Sequence, residues 1–384
     1  MTKLFKPIIF IAVLSTVFSC SSQFQQRYKT PDWVFGGFVR PEGVNPIIEP
    51  DSTTVFLDPM SGKRVRWEAN DTFNPAAIVK GDSVYVLYRA EDKSGVKIGH
   101  RTSRLGFARS ADGIRFIRQS TPVFYPDNDN QKAYEWPGGT EDPRIAETTD
   151  GQYVMFYTQW NRKTPRIGVA ISKDLKTWVK HGPIFRKSKM FPSLVDKPHK
   201  SASIVTEVIN NKQVIAKVNG KYWLYWGENG VYGATSDNLI DWEPIVDDYG
   251  ALKAFIRPRV GYFDSALTEC GPPAVKTEKG ILLLYNGKND LKNGDKRFNK
   301  GTYSAGQVLF DSNDPTVVLN RLDVPFLRPL ESFEKSGQYV DGTVFIEGLV
   351  YFKRKWLLYY GCADSKVGVA IYDPEKPANL DPLP

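Results

Sequence analysis

The chain is poor in the residues that build metal centres and disulfide frameworks: three cysteines and three histidines are spread over 384 residues. Thiols this few and this far apart offer neither the ligand spacing of a structural zinc site nor a disulfide scaffold. A Ser-His-Asp order, a phosphate-cradling glycine loop and a dinucleotide fingerprint are all missing, which removes triad chemistry and nucleotide-dependent chemistry. Basic runs are missing too. The formal charge is +8, but lysine and arginine are mixed with acids throughout, so the surface reads as mildly basic and solvated, with no nucleic-acid partner. The apolar stretch near the start, residues 7–18, falls short of the ~20 residues that span a bilayer. No metal or cofactor is implied.

That short stretch is a processing signal. Lys3 and Lys6 precede it, and it ends at Val17-Phe18-Ser19-Cys20, which resembles a bacterial lipobox in which the cysteine is lipidated and becomes the mature N-terminus. The expected layout is a signal peptide over residues 1–19, a lipid-anchored tether over 20–45 and one folded domain over 46–384. The expected location is periplasmic or cell-surface, anchored to a membrane through Cys20. Cys270 and Cys362 remain; an oxidising compartment would permit their pairing, but sequence does not show that they meet.

The chain does have a core and a repeat. Hydrophobic residues make up 41% and aromatics 13%, enough for a packed core and for rings that stack on sugar faces. One pattern recurs five times: an apolar strand, a polar turn, an aromatic-rich strand and a short closing strand. Its aromatic strands are Val84-Tyr85-Val86-Leu87-Tyr88, Tyr153-Val154-Met155-Phe156-Tyr157, Tyr222-Trp223-Leu224-Tyr225-Trp226, Ile281-Leu282-Leu283-Leu284-Tyr285 and Trp356-Leu357-Leu358-Tyr359-Tyr360. Closing strands such as Leu105-Gly106-Phe107-Ala108, Ile167-Gly168-Val169-Ala170 and Val367-Gly368-Val369-Ala370 follow. Three copies then end alike, at Ser110-Ala111-Asp112, Ser172-Lys173-Asp174 and Ser236-Asp237-Asn238, polar turns whose side chains bond local backbone. Five such units predict an all-β protein, a five-bladed β-propeller.

In a propeller the inner strands converge on one axis, so function should sit at equivalent positions of the units. Asn74, Asp142, Glu269 and Asp341 stand at the starts of the units. Arg89, Asp92, Glu228 and Asp364 stand just beyond the middle strands. Charged groups beside apolar strands need partners or water, and a series in register predicts a carboxylate-lined pocket suited to sugar. Two carboxyl groups with separated proton affinities can protonate a leaving group and activate a nucleophile.

Glu141-Asp142-Pro143-Arg144, with Phe73-Asn74-Pro75-Ala76-Ala77 and Tyr88-Arg89 before it, resembles glycoside hydrolase family 130. The likeness continues through Arg166-Ile167-Gly168-Val169-Ala170, Tyr303-Ser304-Ala305-Gly306 and Tyr359-Tyr360-Gly361-Cys362-Ala363-Asp364. The resemblance implies a five-bladed propeller acting on β-mannosides, with a mannose-containing oligosaccharide as substrate. It makes Asp142 the general acid, passing its proton through the sugar 3-hydroxyl, and gives the mannosyl unit to Asn74, Arg89 and Asp364. Asp92, Arg144, Lys200 and Tyr303 complete the expected substrate-binding set.

The family holds both phosphorylases and hydrolases. Where its phosphorylases typically carry a His-Arg pair, this chain reads Tyr225-Trp226-Gly227-Glu228-Asn229, and a carboxylate there would repel phosphate. Glu228 and Glu269 resemble the hydrolytic branch that removes β-1,2-linked mannose; there they would activate water and invert the anomeric centre. Lys200 and Arg162 leave the basic set depleted rather than absent. The alternatives are a β-mannoside phosphorylase, a glycosidase for another sugar and a non-catalytic glycan-binding lipoprotein. The polar segments 187–197 and 289–300 are expected to set linkage preference.

Overall fold

The computed structural model describes residues 30–384; the signal peptide and Cys20 lie outside the described residues. Strand dominates, and among the described residues α-helix is confined to Lys132–Glu135. Five antiparallel units follow one another along the chain. Unit one runs through Asp71–Lys80, Ser83–Glu91 and Ser103–Ser110. Unit two takes Gly139–Glu147, Tyr153–Trp160, Pro165–Ser172 and Trp178–Pro183. Unit three pairs Ala202–Ile209, Lys221–Trp226 and Val231–Ser236. Unit four joins Leu267–Cys270 and Ala274–Thr277 to Gly280–Lys288 and Tyr303–Phe310. Unit five closes the series with Val344–Phe352, Lys355–Cys362 and Lys366–Tyr372.

Strand periodicity explains why the middle strands are apolar on both faces. Successive side chains point to opposite faces of a strand, and each unit is packed on both sides. Val84, Val86 and Tyr88 meet Leu357 and Tyr359 of unit five, while Leu87 meets Met155 and Tyr157 of unit two. Val154 and Phe156 face Leu224 and Trp226. Trp223 and Tyr225 face Leu283 and Tyr285, and Leu282 and Leu284 face Leu358 and Tyr360. Five shared clusters therefore link one unit to the next and the last to the first.

The repeated small residue in the closing strands has a steric cause. Tyr88 pairs with Gly106 across the ladder, and Tyr157 with Gly168. A Cβ on Gly106 would stand 2.2 Å from the Tyr88 ring, so only glycine lets the ring lie across the neighbouring strand. The closing turns behave as their sequence predicts. Ser110 Oγ accepts from the Gly113 N–H at 2.8 Å, and Asp112 Oδ1 from the Ile114 and Arg115 N–H groups at 2.8 Å. Ser172 with Asp174 and Ser236 with Asn238 repeat that arrangement.

The described part of the stretch read as a tether is laid onto the body. Val34 and Phe38 are buried in the cluster between units four and five, Phe35 N–H donates to Gln307, and Arg40 pairs with Glu334 at 2.7 Å. Its aromatic and apolar side chains supply the reason, since they cover that cluster. Cys270 and Cys362 are free, buried thiols in different clusters.

Candidate active site

Three units interrupt their first strand with a bulge, and the residues it releases are the polar ones. The register shifts between Phe73 and Pro75, between Glu141 and Arg144, and between Ile346 and Gly348. Asn74, Asp142 and Glu347 are thereby left out of the ladders. Asn74 and Asp142 adopt φ of 45° and 46°, a left-handed conformation that Asn and Asp tolerate best among residues with a side chain. A bulge re-aims a side chain out of the alternation; here two of the three are turned into one pocket. Glu228 lies in the turn between Lys221–Trp226 and Val231–Ser236, Glu269 in Leu267–Cys270, and Asp364 just after Lys355–Cys362.

The pocket has a volume of about 240 Å³ and is lined by Asn74, Arg89, Glu141, Asp142, Lys200, Glu228, Glu269, Tyr303 and Asp364. Thr158, Trp160, Pro165, Ile98, Gly99, Tyr339, Thr343 and Phe345 complete its wall. A larger depression of about 750 Å³ on the flank of unit two, at Tyr125 and Trp178, brings none of these groups together.

Arg89 organises one side. Its Nη1 donates to Asp142 Oδ1 at 3.0 Å, and its Nη2 to Glu141 Oε1 at 2.8 Å and Glu91 Oε1 at 2.7 Å. Asn74 Nδ2 donates to the same Asp142 oxygen at 2.9 Å. Burial pushes the Asp142 carboxyl up, but Arg89, then Lys200 and Asn74, outweigh it and hold it down at about 2. The neighbouring Glu141 is raised to about 7 by burial, with Arg89 opposing and Asp142 adding. Asp364 is likewise raised to about 7 by burial, against Arg89 and with Asp142.

Lys200 organises the other side. Its Nζ lies 3.2 Å from both Glu228 Oε2 and Glu269 Oε1. Burial alone would drain the proton from this amine; Glu269, Glu228 and Asp142 reverse that and hold its affinity well above the ordinary value. The Glu269 carboxyl, also taking a hydrogen bond from Ser201, is raised by burial although Lys200 opposes. The site thus gathers carboxylates on two sides, each around one cation, Arg89 and Lys200, which the carboxylates outnumber.

Eight of the residues expected from sequence thus meet in one pocket: Asn74, Arg89, Asp142, Lys200, Glu228, Glu269, Tyr303 and Asp364. Three do not. Asp92 takes a 2.8 Å bond from Arg104, which also holds Asp58 at 2.8 Å; its carboxylate is consumed by a buried ion pair. Arg144 is 1% exposed and spends its guanidinium on main-chain carbonyls beneath the pocket. Asp341 is exposed, and Thr343 stands in the wall where it was expected. Arg162 and segments 187–197 and 289–300 line none of it. Glu141 was overlooked although it adjoins Asp142; Trp160 and Tyr339 carry no local sequence signal.

The family model described as beta-1,4-mannooligosaccharide phosphorylase matches residues 47–380. A 1,2-beta-oligomannan phosphorylase of Thermoanaerobacter sp. (strain X514) is 33% identical over 312 residues, covering 80% of this chain and 91% of that protein. The crystal structure of a glycosyl hydrolase from Bacteroides ovatus is 64% identical, with a TM-score of 0.91, covering 93% of this chain and 99% of that one. A second solved structure is 62% identical, with a TM-score of 0.91 and coverage of 93% and 99%. It is reported with the finding that the GH130 family of mannoside phosphorylases contains glycoside hydrolases that target beta-1,2 mannosidic linkages in Candida mannan. Family model, relatives and architecture agree with the motif likeness, and the chain belongs to glycoside hydrolase family 130.

Proposed function

We propose that the protein is an inverting glycoside hydrolase that releases mannose from β-1,2-linked mannosides, on a five-bladed propeller whose blades are the five units. The observation that carries the choice of hydrolysis is Lys200, 3.2 Å from Glu228 and from Glu269. Its charge is already shared by two carboxylates, so the place where phosphate would bind is net negative and repels an anion. Water is the acceptor such a place admits, with Glu228 and Glu269 to orient and deprotonate it. The 62% identical structure, linked to hydrolases in its family, supports the same choice.

On the opposite side Asp142 serves as general acid through the substrate 3-hydroxyl. In the empty pocket Arg89 keeps it ionised, so the proton must come from elsewhere. Glu141 and Asp364, both raised to about 7, line the same pocket and are groups that hold protons there near neutral pH. Asn74, Arg89 and Asp364 hold the mannosyl unit, whose hydroxyls accept and donate to charged groups of fixed geometry.

Incubation with β-1,2-mannobiose, with and without phosphate, tests this. Free mannose in equal amount under both conditions, abolished in Asp142→Asn, is the expected result. The second reading, a β-mannoside phosphorylase, is favoured by the 33% identical oligomannan phosphorylase; mannose 1-phosphate formed only with phosphate would establish it. We also infer an exported lipoprotein held by Cys20. Acyl labelling that survives Cys20→Ala would refute the anchor.

A further inference from the structure

Arg144 lies beneath the pocket and touches the chain on both sides of the reaction. Its Nη1 donates to the carbonyl oxygen of Asp142 itself at 2.9 Å. Its Nε and Nη2 donate to Gly271 O at 3.0 Å and Cys270 O at 2.9 Å, the two residues that directly follow Glu269. No strand of unit two pairs with unit four, so sheet hydrogen bonding does not set the distance between these two segments. The bulge at Asp142 has left its carbonyl outside the ladder, and Gly271 is followed by Pro272 and Pro273, which have no N–H to offer a neighbour. A planar guanidinium with a rigid fork of donors fixes relative position as a flexible ammonium does not.

Glu347 completes the arrangement from unit five. It is wholly buried, and its Oε1 stands 2.9 Å from Arg144 Nη1. The bulge that presents it is clamped by Asn286, which accepts from Ile346 N–H at 2.8 Å and donates to Ile346 O at 3.1 Å. A carboxyl this deep is costly unless a fixed cation answers it; Arg144 is the cation beside it, while burial still holds its proton affinity well above the ordinary value against Arg144. Units two, four and five are thus tied at one point under the reacting groups.

We propose that Arg144 is a positioning residue whose fork, seated on Glu347, sets the spacing between Asp142 and the water-activating Glu269. The proposal rests on the roles given to those two carboxylates above. It predicts that misplacement costs turnover rather than affinity, because the fork reaches backbone and not substrate.

The test uses the full folded domain with β-1,2-mannobiose, counting released mannose and mannose 1-phosphate together. A wrong choice of acceptor then shows in the wild-type product, and a wrong role for Arg144 shows in the ratio of variant to wild type. Arg144→Lys keeps the charge and loses the fork. Its kcat is expected to fall about a hundredfold, with KM within about threefold and the pH–rate limbs unmoved. The double variant Arg144→Met/Glu347→Leu replaces the buried pair by apolar groups, which cores tolerate. It should fold, lose kcat similarly and shift both limbs to higher pH, since the cation beside Asp142 and Glu269 is gone. A folded variant with wild-type kcat overturns the proposal. So does a rise in KM at constant kcat, which would mark a substrate contact. Failure of both variants to fold would assign Arg144 to holding the molecule together and overturn it equally.

Discussion

Two sets of buried carboxylates can be set side by side in this molecule. Glu68, Glu135, Asp264 and Glu334 each accept from a tyrosine of a middle strand, Tyr88, Tyr157, Tyr285 and Tyr360, at 2.7 to 2.8 Å. Each also meets at least one cation: Arg118, Lys180, Arg321 with Arg259, and Arg40 respectively, of which Lys180 and Arg40 reach one further acid each. In the pocket the carboxylates outnumber the cations. Arg89 serves Glu91, Glu141 and Asp142, while Lys200 serves Glu228 and Glu269. Carboxylates held between a tyrosine hydroxyl and a cation fix strands in place, even where burial raises them, as at Glu68 and Glu135. Carboxylates that share too few cations must hold protons among themselves, which is what acid–base chemistry requires.

The comparison breaks if the two sets respond alike to substitution. Asp142→Asn is expected to lower kcat by ~10³-fold, within the range a positioned general acid supplies, with a loss of ~2–3 kcal/mol of unfolding free energy as its ionised pairing with Arg89 goes. Glu334→Ala should spare turnover. It takes one of two carboxylates from Arg40, leaving Asp381, and strands the Tyr360 hydroxyl in the core, at a cost of ~3 kcal/mol of unfolding free energy, while kcat per folded molecule stays at the wild-type value. Urea unfolding together with active-site titration separates the two; a Glu334→Ala protein of normal stability and reduced kcat would erase the distinction.

Much of the scaffold was legible because its cause is local and repeated. A tyrosine that lies over a glycine writes both residues into every copy, as at Tyr88 with Gly106 and Tyr157 with Gly168. The tyrosine-bound acids were legible in principle: three of them precede their tyrosines by 20, 22 and 21 residues, a spacing that went unused. The pocket was legible where the repeat itself delivers the residue, at Asn74, Asp142 and Asp364. It misled at Arg144, two residues past Asp142, because a bulge decides which side chains rise into the pocket and which point beneath it. Asp92 misled for another reason: its partner Arg104, and Asp58 which shares that guanidinium, come from segments outside any motif.

A smaller effect sharpens the scaffold side. Gly106→Ala places a methyl against the Tyr88 ring at 2.2 Å, so the ring must move and its bond to Glu68 must lengthen. Overpacking of this kind costs ~1–3 kcal/mol, and unfolding in urea should show it without change in kcat. An unaltered midpoint would mean that the tyrosine has room to turn and that the repeated glycine has another cause.

The last expected effect is a slope with pH, and its sign follows from the pocket carboxylates. Glu141 and Asp364 are raised to about 7, above the ordinary values of about 4.3 and about 3.9. The folded state therefore binds protons that the unfolded state has released. The stability they contribute is complete below about pH 4 and is lost as pH rises through 7. Asp142, lowered to about 2, works in the other direction: its contribution is complete above about pH 4 and is lost only as pH falls through 2. Between pH 5 and 8 the raised pair should then make the urea midpoint fall with rising pH, by up to ~1.4 kcal/mol per pH unit for each proton released. Asp364→Asn and Glu141→Gln should each flatten that slope, since the amide has no proton to lose, whereas Asp142→Asn should only soften it, by removing the charge that adds to both shifts behind burial. A slope that survives both of the first two substitutions would put the stored protons outside the pocket, and the contrast between tyrosine-bound and proton-sharing carboxylates would no longer mark the site.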